Sequence, residues 1–170
     1  PFPVERSIDV LFSGVGVRKI VVMDYGHIGD LILSLPSVEA LKGIFPDAEM
    51  DFVCGDWGRE IIGQSPNIKR VITFNHPLQG RDRRSRLRCV REVARLVIDL
   101  RKREYDVSID LRGDLSSAII NLLSKSTYKT GRDRGGYHFP YSYGSAAFDQ
   151  PEVLNKLDLV RKIDDRACFM

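Results

Sequence analysis

The stretch Lys19-Ile20-Val21-Val22-Met23-Asp24-Tyr25-Gly26-His27-Ile28-Gly29-Asp30 decides how this chain folds. Lys19–Asp24 is a short apolar run, the mark of a strand covered on both faces, as in a parallel sheet. Tyr25–Asp30 then reads as a tight glycine-containing loop. A helical spacing follows, with Leu31, Leu35, Val38, Leu41 and Ile44, and closes at Phe45-Pro46. Pro36 falls in the early turns of that helix, where proline is best tolerated.

The alternation repeats outward from this unit. Met50–Cys54, Arg70–Phe74, Asp106–Leu111 and Thr127–Thr130 read as strands. Trp57–Gln64, residues 85–103, Leu115–Leu123 and Val153–Ile163 read as helices, the second with Leu87, Val90, Ala94, Val97 and Leu100 on its apolar stripe. Residues 131–150 show no period. Strands alternating with helices predict an α/β fold, a Rossmann-like doubly wound parallel sheet of five strands in the order 3-2-1-4-5. The domain is expected over 18–165, after an N-terminal arm at 1–17. In that order strands 1 and 4 are neighbours whose following helices take opposite faces. The crevice at their carboxyl ends is where ligands bind. Gly26–Asp30 and Asp110–Asp114 should line it.

Composition sets the limits. The chain has 170 residues, 43% hydrophobic and 29% charged, which suits one globular domain and excludes a disordered or collagen-like chain. The net charge of +3 is too small to imply a nucleic-acid partner, yet residues 81–103 carry ten Lys/Arg against three acids, a local +7. Cys54, Cys89 and Cys168 have neither disulfide nor metal spacing and fit reduced thiols, and His27, His76 and His138 are scattered. No run reaches the roughly 20 apolar residues of a membrane span. The start at Pro1-Phe2-Pro3 and the end at Cys168-Phe169-Met170 read as those of a piece of a longer protein. Val4, Ile8, Leu11 and Phe12 are at helical spacing in the arm, which reads as a docking arm or as a membrane-surface helix.

The crevice loops carry the chemistry. Gly26 and Gly29 allow a sharp turn and close backbone approach to a ligand. The loop lacks the G-x-G-x-x-G of a dinucleotide site, so a nicotinamide cofactor is disfavoured. Asp30 reads either as the helix N-cap or as a general base facing the crevice. Arg112, beside Gly113, reads as a holder of carboxylate or phosphate or as a surface residue, with Asp114 or Ser116 capping the helix. Arg81, Arg83, Arg84 and Arg86 follow strand 3 on the same side of the sheet and face an acidic substrate unless they are a solvated helix face. The aromatic loop Gly135–Tyr143 reads as a sugar- or base-stacking surface or a cover.

Residues Lys19–Pro46, with Gly29-Asp30 and the Phe45-Pro46 ending, resemble the start of glycosyltransferase family nine, the ADP-heptose:lipopolysaccharide heptosyltransferases. Ser65–Ile72 and Tyr105–Gly113 extend the resemblance over about residues 18–131. It implies the N-terminal, acceptor-binding half of a two-domain GT-B enzyme, with the donor-binding domain absent from this chain. Asp30 is then the catalytic base of an inverting transfer. Gly29, Arg81, Arg83, Arg84, Arg86, Arg112 and Gly113 contact the acceptor. The donor substrate is a nucleotide-sugar such as ADP-heptose, with no further cofactor and no metal. The acceptor is a glycan or lipid-linked glycan. The enzyme is expected in the bacterial cytoplasm, with peripheral contact to the inner face of the plasma membrane left open. The 170-residue chain alone should turn over nothing. The family's helix near the end of this domain often begins with His, and residues 150–160 contain none. The competing expectation is a non-catalytic Rossmann-like module that binds anions or nucleotides.

Overall fold

The computed structural model describes residues 16–74, 86–133, 141, 143–146 and 151–164; at 86–89, 133, 143–146 and 164 only the backbone is described. The elements run β1 (Lys19–Met23), α1 (Ile28–Ile32), α2 (Leu35–Ile44), β2 (Glu49–Cys54), a 3-10 turn (Asp56–Gly58), α3 (Arg59–Ile62), β3 (Arg70–Thr73), α4 (Arg86–Arg103), β4 (Val107–Asp110), α5 (Leu115–Leu123), β5 (Tyr128–Asp133), β6 (Tyr143–Ala146) and α6 (Glu152–Asp164).

The sheet is parallel throughout, in the order β3-β2-β1-β4-β5-β6. The expected order holds, with a sixth strand added at one edge. Residues 131–150 therefore contain the end of β5 and all of β6. Tyr143-Gly144-Ser145-Ala146 is too short and too poor in β-branched residues to show a period, and it is held by its ladder to β5.

β1 shows why the apolar runs are continuous. Ile20 and Val22 face one core with Val38 and Leu41 of α2 and Leu159, Val160 and Ile163 of α6. Val21 and Met23 face the other, with Leu96 and Leu100 of α4 and Ile120 of α5. Alternate residues are buried on opposite sides, so none is free to be polar. Cys54 is a free, buried thiol whose pKa burial pushes up to about 12, which leaves it inert.

The single helix expected from Leu31 is two. Pro36 has no N–H to give the carbonyl of Ile32, so the first helix stops at Ile32 and a second starts at Leu35, with Ser34 before it. The first helix also begins earlier than expected, at Ile28. That places Asp30 inside its first turn.

Candidate active site

β1 and β4 lie side by side, Met23 opposite Asp110, and the Leu111 N–H donates to the Met23 carbonyl at 3.0 Å. Their carboxyl ends open into the two loops expected to carry the chemistry.

The first loop is tied down from beneath. Asp24 is buried at the end of β1. Its carboxylate accepts from the Gly26 N–H at 2.9 Å, the Ser34 hydroxyl at 2.8 Å and the Lys156 ammonium at 2.7 Å. Lys156, also buried, comes from α6 and donates as well to Ser34 Oγ and to the main-chain carbonyl of Asp30. One ammonium thus fixes the strand end, the break between α1 and α2, and the backbone of Asp30. The ion pair Asp24–Lys156 is isolated from water, so its net stability is small, but removal of either member strands a buried charge.

Asp30 is not the N-cap. His27 occupies that position, and Asp30, three residues on, accepts from the His27 N–H through Oδ2 at 2.9 Å. The side chain folds back over Gly26, where an added Cβ would lie 2.5 Å from that oxygen. Its side chain is 40% exposed, and no described residue donates to its other oxygen, Oδ1. One oxygen is anchored and the other accepts from no described donor, so capping leaves an oxygen for base chemistry in the same residue.

Beside it is an open recess of about 570 Å³ lined by His27, Ile28, Gly29 and Trp57. Nothing lies within 4 Å of a Cβ built on Gly29, so its backbone is accessible. Trp57 donates its indole N–H to the Gly26 carbonyl at 2.9 Å, and its ring lies over Gly55, where a Cβ would collide at 2.2 Å. The ring is half-exposed and its orientation fixed.

The second loop is built on Asp110, fully buried at the end of β4. Its carboxylate accepts from the N–H groups of Arg112 at 2.9 Å and Gly113 at 3.0 Å, and from the Tyr141 hydroxyl at 2.7 Å. Burial raises its pKa from 3.8 to about 6, against the pull of those donors. Gly113 has φ 74°, and a Cβ there would lie 2.5 Å from the Arg132 carbonyl oxygen, so only glycine fits. Asp114 caps α5, accepting from the Ser117 N–H at 2.9 Å, and pairs with Arg112 Nε. The Arg112 guanidinium lies 5.3 Å from the centre of the Tyr25 ring. Arg112 is thus partly buried and held by Asp114, a positioned cation rather than a loose surface arginine.

Arg81, Arg83 and Arg84 lie outside the described residues. Arg86 begins α4, where only the backbone is described. Among the described residues no group of three or more His, Cys, Asp or Glu side chains could hold a metal, and no helix is long and apolar enough to cross a membrane.

Sequence reasoning passed over Asp24, Trp57 and Lys156 as site residues, and placed Asp110 and Tyr141 only as members of the crevice loop and the aromatic loop, with no role of their own. An acid closing an apolar strand was the available signal for Asp24 and Asp110. Nothing marked Lys156, because its partners are more than a hundred positions away in the chain.

No protein-family model matches the chain. It is 25% identical over 114 residues to lipooligosaccharide heptosyltransferase 2 of Haemophilus ducreyi, a match covering 66% of this chain and 30% of that protein. In fold it is similar to a glycosyl transferase family 9 structure from Veillonella parvula, with TM-score 0.74, 15% identity, 88% of this chain and 42% of the other covered. It is likewise similar to the E. coli heptosyltransferase WaaC with ADP-2-deoxy-2-fluoro heptose, with TM-score 0.72, 20% identity, 85% and 47% covered. The chain spans about a third of the curated relative and just under half of the solved structures. Its fold is one Rossmann-like half of the GT-B architecture, and its sequence is heptosyltransferase-like.

Proposed function

We propose that this chain is the acceptor-binding half of an inverting glycosyltransferase. It helps move a sugar, heptose by its relatives, from a nucleotide-sugar such as ADP-heptose to a lipopolysaccharide-type glycan in the cytoplasm. The observation that carries the reading is the state of Asp30, anchored through one oxygen at the carboxyl rim of the sheet and open at the other.

Asp30 Oδ1 takes the proton of an acceptor hydroxyl as its oxygen attacks the anomeric carbon. The bond from that carbon to the diphosphate breaks, and the nucleoside diphosphate leaves with the electron pair. A second, donor-binding domain presents the nucleotide-sugar. Trp57 offers an apolar ring face to the acceptor sugar, and Gly29 lets that sugar approach the backbone. Arg112, with Gly113 shaping its loop, engages acidic groups of the acceptor, aided by Arg81, Arg83, Arg84 and Arg86.

The test is Asp30→Asn in the intact protein, assayed for transfer from ADP-heptose to a heptose-free lipopolysaccharide core. Asparagine keeps the acceptor oxygen for the His27 N–H and removes the base. The expected outcome is a fall in kcat of roughly 100- to 10,000-fold with acceptor KM little changed. Retention of full rate overturns Asp30 as the base, and absence of transfer from the unsubstituted intact protein favours the anion-binding module.

A further inference from the structure

The outer surface formed by α4 and α5 carries five of the nine exposed large apolar side chains among the described residues. On α5, Leu115, Ile119 and Leu122 recur at helical spacing and are 40–45% exposed, while Ser117, Ala118, Ile120 and Asn121 face the sheet. The outward stripe of this helix is wholly apolar. Helix α4 packs alongside it, and the Arg101 guanidinium donates through Nε to the Leu123 carbonyl at 2.7 Å, which fixes how the two helices are turned. Val90, Ala94 and Ile98 lie on the same line of α4 as Arg101, the side toward α5. Val90 is 65% and Ile98 52% exposed. The two helices thus each present an exposed apolar stripe, the one on α4 on the side toward α5.

Cations border it. Arg91, Arg95 and Lys102 sit one step further round α4, and exposed Lys125 lies just past the end of α5. The described acids of α4 are engaged, Glu92 with Arg95 at 3.8 Å and Asp99 with Arg70 at 2.7 Å. Arg91, Lys102 and Lys125 have no acidic partner among the described residues. Exposed apolar side chains flanked by cations on one face are what an interfacial helix offers to an anionic bilayer. A second copy of the chain fits less well, because a two-fold contact through this face would gather two sets of these cations into one interface.

We propose that the α4–α5 face docks on an anionic lipid surface, with Leu115, Ile119, Leu122, Val90 and Ile98 entering the headgroup boundary and Arg91, Arg95, Lys102 and Lys125 meeting lipid phosphates. Leu115 directly follows Asp114 of the crevice loop, so this docking brings the crevice rim to the membrane, where a lipid-linked acceptor is reached without being extracted. The docking itself does not depend on Asp30 being the base.

Co-sedimentation with vesicles tests it, using phosphatidylcholine alone or with a third replaced by phosphatidylglycerol. The chain should sediment with the anionic vesicles only. The double variant I98E/I119E, both changes on exposed positions, should lose binding at least ~10-fold while its circular dichroism and melting stay near wild type. Charge reversal at Arg91 and Lys102 should weaken anionic binding by about 5-fold for each cation removed, and salt should mimic it. Absence of binding to anionic vesicles overturns the proposal. So does binding that I98E/I119E leaves unchanged, or a dimer in ultracentrifugation that I119E dissolves, which would assign this face to a second copy. Activity of D30N plays no part in the readout, so this surface and the transferase reading stand or fall separately.

Discussion

Two carboxylates stand on the carboxyl side of the central strands, and their surroundings give them opposite characters. Asp30 stands at the rim with one oxygen open, whereas Asp110 is sealed in and its pKa is raised to about 6 by burial. The raised value has a thermodynamic consequence. The folded chain holds this proton more tightly than the unfolded chain, whose aspartate titrates near 3.8. The stabilisation is complete below pH ~4 and is lost as pH rises to about 6, after which it is level. The difference between the two states is worth about 3 kcal/mol. Urea unfolding at pH 4.5 and at pH 7 should therefore show a component that falls with pH. Asp110→Asn should remove that component, since its carbonyl oxygen still accepts from Arg112 and Gly113 while its amide faces the Tyr141 hydroxyl. An unchanged slope in the variant would exclude Asp110 as its source.

At the scale of elements, the turn from β1 into α1 is set by what Gly26 lacks. The Asp30 carboxylate occupies the space of a Cβ at Gly26, 2.5 Å away. Gly26→Ala should push that carboxylate off its bond to the His27 N–H. The expected result is a transfer rate falling toward that of Asp30→Asn, with a stability loss of only about 0.5–2 kcal/mol, the worth of one cap. A wild-type rate in Gly26→Ala would show that the carboxylate works from another position. The element boundaries show how far local sequence reaches. Leu115–Leu123 was legible to the residue, because Asp114 is a strong capping residue and the apolar spacing is regular. The break at Leu33-Ser34 was hidden, since Leu31, Leu35 and Val38 keep helical spacing across it and only Pro36 signals the stop. β6 was invisible, because the ladder to β5 makes it a strand and its own side chains do not.

Across the whole molecule, the crevice between β1 and β4 could be placed in advance because strand order alone positions it. Its inner wiring could not. Lys156 reaches Asp24 across 132 positions, and Tyr141 reaches Asp110 past Gly131, whose missing Cβ leaves room for the ring. Such pairings are made by the assembled sheet, so no local pattern announces them. The Lys156 contact also closes the fold, since α6 returns across the sheet to bury Leu159, Val160 and Ile163 beside α2. Lys156→Met should destabilise the chain by about 3–5 kcal/mol, because Asp24 is left buried and unpaired. Asp24→Asn placed on top of Lys156→Met should restore most of that loss, because no unpaired charge is then left at the end of β1. If the double variant is instead as unstable as the sum of the two single ones, the ion pair is not what holds α6 to the site, and packing of Leu159 and Val160 alone must do it.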